Sequence, residues 1–124
     1  MQIIRVLIDL NIKEESGKAG FYLACQFGNT NVVKLLMENA ANLDIDRNIP
    51  DRSGFTGFHW ACQIGHTDIV KHFMMNAANL NIDLNVKDKY GKTGFHWAYQ
   101  MGHSTEIVKI IKENAADLSI DLNV

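Results

Sequence analysis

The sequence predicts an all-α solenoid of stacked helix–turn–helix units joined by hairpin loops. Three observations carry that reading. A register recurs every 37 residues, in Gly17, Gly54 and Gly91, in Phe21, Phe58 and Phe95, and in Ala24, Ala61 and Ala98. Asp51–His66 and Asp88–His103 are identical at 11 of 16 positions, and Glu14–Asn29 matches Asp51–His66 at 8 of 16. Self-similarity at such a period marks a repeat architecture, in which each unit buries its apolar face against the next. Inside the units, Val32, Val33, Leu35 and Leu36, then Ile69, Val70 and Phe73, then Ile107, Val108, Ile110 and Ile111 fall on one helical face.

The elements follow in order. Ile8-Asp9-Leu10-Asn11 matches Ile82-Asp83-Leu84-Asn85, so Gln2–Leu10 reads as the tail of a preceding unit. Residues 1–124 form one domain: a partial unit at 1–12 and full units at 13–49, 50–86 and 87–124. The sequence is expected to be a slice of a longer array. Each unit opens with a short helix, about Gly20–Phe27, Gly57–Ile64 and Gly94–Met101. Gly28, Gly65 and Gly102 end it, since glycine takes positive φ without penalty. The second helix starts after Thr30, Thr67 or Thr105, near a hydroxyl or carboxylate cap. An Asn- and Asp-rich loop follows, such as Asn79–Asn85, whose side chains bond their own turns. Asn39-Ala40-Ala41 recurs at Asn76, and again at Asn114 with one extra residue between His103 and Ile107. Lys112 and Glu113 replace Met74 and Met75, which partly supplies a polar outer face.

Composition narrows the function classes. The chain has 124 residues and a net charge of -2, which argues against a general nucleic-acid binder. Arg5 and Asp9 interrupt the apolar N-terminus, so neither a membrane span nor a signal peptide is expected. Two cysteines without an export signal point to the cytoplasm or nucleus. No phosphate loop, Ser-His-Asp set, EF-hand spacing or paired carboxylates in register occur, so no enzyme and no cofactor are expected.

Gly54-Phe55-Thr56-Gly57-Phe58-His59, Gly91-Lys92-Thr93-Gly94-Phe95-His96 and the Gly65-His66 and Gly102-His103 turns resemble the ankyrin-repeat family. Its pattern is a Gly-x-Thr-Pro-Leu-His turn, a small-residue helix, Gly-His and an Ile-Val-x-x-Leu-Leu helix. The resemblance covers about Asp9 to Val124. Three departures stand out. Gly20, Gly57 and Gly94 replace the turn proline, which should cost about 0.5–1 kcal/mol per unit. The period is longer than the usual ~33 residues, so longer hairpin loops are expected. The first unit has Ala19 and Tyr22 where the others have Thr and His.

The resemblance implies a protein–protein interaction module that binds a protein or peptide through its concave face and hairpin tips. The alternative is a structural spacer in a longer repeat protein. No nucleic acid, membrane or metal is expected, and the chain is expected to be monomeric. The partner-binding candidates, carried over by position, are Arg52, Ser53, Phe55, Lys89, Tyr90 and Lys92 at the tips. On the first helices they are Phe27, Gln63, Ile64, Gln100 and Met101. Phe27, Ile64 and Met101 either touch a partner or pack on the next hairpin. Phe55 and Tyr90 should bring contact area with little packing duty. Arg52, Ser53 and Phe55 differ from Lys89, Tyr90 and Lys92, which leans toward binding. Trp60 and Trp97 read as core. His59, Cys62 and His66 share a helical face that could suggest zinc, but Tyr99 replaces the cysteine in the third unit. The resemblance instead has the turn histidine bond Thr56 or Thr93. His72 reads as partly buried, and Cys25 and Cys62 as buried and unbridged. The resemblance also makes Asn81 and Asn85 candidate substrates of an asparaginyl hydroxylase.

Overall fold

The computed structural model describes residues 21, 23–38, 50–102 and 105–123. The expected partial unit at 1–12 and the first hairpin tip lie outside the described residues. Helical residues 23–26 are followed by α1 (Thr30–Glu38), α2 (Gly57–Ile64), α3 (Thr67–Leu80), α4 (Gly94–Met101) and α5 (Thr105–Leu118). No strand occurs among the described residues. The first helices form one layer, α2 against α4. The second helices form another, with α3 between α1 and α5. Within a unit, α2 packs on α3 and α4 on α5.

Helices of eight residues are too short to persist alone in water, so burial between the layers holds them. Val33, Phe58, Ile69, Phe73, Phe95, Ile107 and Ile111 lie in that core. Each such side chain contributes about 1.5–3 kcal/mol on full burial. Phe73 joins two units: its ring centroid is 6.1 Å from Phe21 and 5.4 Å from Phe58. Cys25 and Cys62 are free and buried, and burial pushes both thiols up, away from reactivity. Met74 is buried, whereas Lys112 in its place on α5 is exposed.

The helix ends are written in local chemistry. Thr56 caps α2 and Thr93 caps α4, each in a reciprocal box with the histidine three residues on. Gly65 closes α2 at φ 94°, in the left-handed region. The start of α3 departs from expectation. α3 begins at Thr67, but its cap residue His66 makes no capping side-chain bond, because that ring is turned to the preceding unit. The loop also starts later than expected. Asn79 and Leu80 continue α3, and Asn81 ends it at φ 54° with its N–H on the Ala77 carbonyl.

Candidate partner-binding surface

Two carboxylates build the hairpin tips. Asp51 Oδ1 accepts from the Ser53 and Phe55 amides at 2.9 and 3.0 Å, and Oδ2 accepts from Trp60 Nε1 at 3.0 Å. Asp88 repeats the set: Tyr90 N at 2.8 Å, Lys92 N at 3.0 Å and Trp97 Nε1 at 2.7 Å. Each tip is thus tied to the first helix of its own unit. The Lys89 amide donates to the Ser53 carbonyl at 3.0 Å, which joins one tip to the next.

Two histidines join the units below the tips. His59 Nδ1 accepts from the Thr56 amide at 3.1 Å and lies 2.9 Å from its hydroxyl. His59 Nε2 meets the Lys92 carbonyl at 2.9 Å. A carbonyl only accepts, so Nε2 carries the proton and the ring is neutral. His66 Nε2 reaches the Gln26 carbonyl at 2.9 Å. Both His59 nitrogens are therefore engaged by the protein itself, and the bond to Thr56 is the one the resemblance implied. Among the described residues no cluster of ligands could hold a metal ion. His72 is half-buried on α3.

Burial holds the His59 pKa below its ordinary 6.5, against the opposing pull of the Lys92 carbonyl and the Asp88 and Asp51 charges. The unfolded chain then takes up a proton that the folded chain refuses. Stability is complete above about pH 6.5 and falls as pH drops toward the folded value. Thermal midpoints of the wild type are expected to decline as the pH falls below about 6.5, with a shallower slope in His59→Gln. Equal slopes in the two proteins would refute the assignment.

Asn85 ties the loops on the other side. Its Nδ2 donates to the Ser119 carbonyl at 2.9 Å, and its Oδ1 accepts from the Asp121 amide at 2.8 Å. Asn81, the other candidate for hydroxylation, is exposed.

A groove of about 390 Å³ opens between the tips. Ser53, Phe55, Trp60, Gln63, Tyr90, Lys92 and Trp97 line it, which brings together five of the residues proposed from sequence. Phe55 corrects an expectation. It is only 4% exposed, because its ring sits in the seam between units, 4.9 Å from Trp60 and 5.5 Å from Trp97. It is a packing residue whose edge lines the groove. Trp60 and Trp97 are half-buried rather than core, with their indole N–H groups spent on the aspartates. Tyr90 is 62% exposed. Lys92 Nζ donates to Gln100 Oε1 at 2.9 Å and lies 4.6 Å from the Trp97 ring centre. Lys89 stands 5.1 Å from the Tyr90 ring centre. Arg52 is exposed. Phe27, Ile64 and Met101 are 75%, 40% and 44% exposed.

Sequence reasoning missed the two aspartates. The signal was present: an Asp stands nine residues before a Trp in units two and three, and both are changed together in unit one, to Glu14 and Leu23.

No helix among the described residues is long and apolar enough to cross a membrane. A search of curated proteins finds no match to the chain. A family model described as ankyrin repeats in three copies matches residues 1–88 and 42–122. Ankyrin repeats are generally protein–protein interaction modules and typically not enzymes. The two stacked helical layers, the Thr-His capping boxes and that match agree: the chain belongs to the ankyrin-repeat family.

Proposed function

We propose that the chain binds a protein partner through its hairpin tips and the concave face of its first helices. One observation carries the reading. Phe27, Ile64, Tyr90 and Met101 keep large apolar surface exposed along the first helices and a tip, beside exposed Leu23 and Tyr99, whereas Met75 is exposed on the second-helix layer. Exposed aromatic and Met side chains with polar neighbours are the composition of interface anchors. Arg52, Ser53, Gln63, Lys89, Lys92 and Gln100 supply the polar rim, and Phe55 backs the groove. The module acts as a monomer in the cytoplasm or nucleus.

The test is capture from cell lysate with wild type and a Phe27→Ala/Ile64→Ala/Tyr90→Ala/Met101→Ala variant, circular dichroism first establishing that both are folded. A protein held by the wild type and lost by the variant is expected. Identical capture by both favours the spacer role and overturns the reading. Hydroxylation of Asn81 or Asn85 is a separate proposal resting on the resemblance. Intact mass after incubation with the hydroxylase checks it, and an unchanged mass overturns it.

A further inference from the structure

We infer that the groove between the tips takes an acidic, extended peptide that seats one apolar side chain against Trp60, Tyr90 and Trp97. This rests on the protein-binding reading above and gives the chemistry of its partner.

The charge distribution carries the inference. The two tip segments, 50–56 and 87–93, hold four cations, Arg52, Lys87, Lys89 and Lys92, against two carboxylates. Those carboxylates are consumed inward. Each accepts two backbone N–H groups and one indole N–H. Among the described residues the ion pairs are Lys34–Glu38, Lys71–Glu106 and Lys109–Glu113, all on the second helices. No carboxylate among the described residues pairs with the tip cations. A chain with net charge -2 therefore keeps a local surplus of positive charge around its aromatic groove.

Two of the cations are also held in place. Lys92 is fixed over Trp97 by the ring face and by Gln100, and Lys89 stands over Tyr90. Pre-set ammonium groups lose less freedom when a carboxylate arrives. The groove's volume of about 390 Å³ suits one anchor side chain rather than a folded surface. Carboxylates that a bound peptide places within about 8 Å of the tip cations are little screened at physiological salt.

The experiment is a selection from a displayed library of random dodecapeptides on the whole chain. The strongest peptide is then labelled and titrated by fluorescence anisotropy. Enriched peptides are expected to place Asp or Glu around one aromatic or aliphatic residue. Affinity is expected to fall about tenfold or more in Lys89→Glu/Lys92→Glu, and less in Lys89→Gln/Lys92→Gln. These changes are expected to keep the fold, which circular dichroism checks, because Lys92 is tied to Asp88 and His59, and Lys89 to Ser53, through backbone groups. Neutral or basic peptides, no enrichment, indifference to charge reversal, or tighter binding of a labelled oligouridylate each overturn the inference. Lysate capture separates the two levels. If capture still depends on the exposed apolar residues, the binding reading stands and only the acidic chemistry falls.

Discussion

Asp88→Ala is expected to lower folding stability by about 3 kcal/mol, a large share of the roughly 5–15 kcal/mol available to a small domain. Asp88 is 7% exposed and accepts three hydrogen bonds. Bonds to a charged acceptor contribute about 1.5–3 kcal/mol each. The two tip amides regain water once the carboxylate is gone, so the loss stays below the sum. Asp88→Asn is expected to lose about half as much, because its single oxygen serves either the tip amides or the indole. Burial raises the Asp88 pKa, but the bonds from Trp97, Lys92 and Tyr90 outweigh it and hold the carboxyl below its usual 3.8. The contribution is therefore present above about pH 4 and lost as pH falls through the folded value. Urea melts at neutral pH and at about pH 2 check both claims. The gap between wild type and Asp88→Asn should shrink in acid. A loss under about 1 kcal/mol for Asp88→Ala would refute the clamp.

The helices were legible because their punctuation is local. Thr56 and Thr93 mark the starts of α2 and α4, glycine marks their ends, and both observed ranges coincide with the expected ones. The tips were less legible because their burial is decided by the next unit. Phe55 and Lys92 hold equivalent positions, yet Phe55 is buried under Trp97 while Lys92 remains half-buried. Nothing in a single unit distinguishes those fates. His66 shows the same thing from the other side. Its place on the face of His59 and Cys62 could suggest a metal ligand, whereas its bond runs to Gln26, forty residues back. The proposed partner surface could be placed from sequence only by position in the family, because a binding surface obeys no period. Its charge emerged only when the geometry turned Asp51 and Asp88 inward.

Gly94→Ala is expected to destabilise the chain by about 1–3 kcal/mol, although alanine is the better helix former by about 1 kcal/mol. The sign is set by space. A Cβ at 94 would lie 2.6 and 2.7 Å from Phe58 Cδ2 and Cε2, and 3.2 Å from Cys62 Sγ. Phe58 cannot swing away, since it is buried and packed on Phe73. The same relation holds one unit earlier, where a Cβ at Gly57 would meet Cys25 Sγ at 2.7 Å and Phe21 Cε2 at 3.1 Å. Two departures from the family pattern, glycine for proline and phenylalanine for leucine, are thus one exchange across a unit boundary. The large ring of one unit fills the volume that the turn residue of the next leaves open. Glycine was expected to be a pure cost of backbone freedom, and the ring it admits offsets that cost. A double-mutant cycle tests the exchange. Phe58→Leu alone should lose about 1–2 kcal/mol by leaving a cavity. In that background, Gly94→Ala should become neutral or stabilising, and Gly94→Pro should be tolerated. A coupling of at least about 1 kcal/mol in urea melts is expected. Strict additivity would mean that Gly94 is set by its own backbone, and that the ring of Phe58 has no part in choosing it.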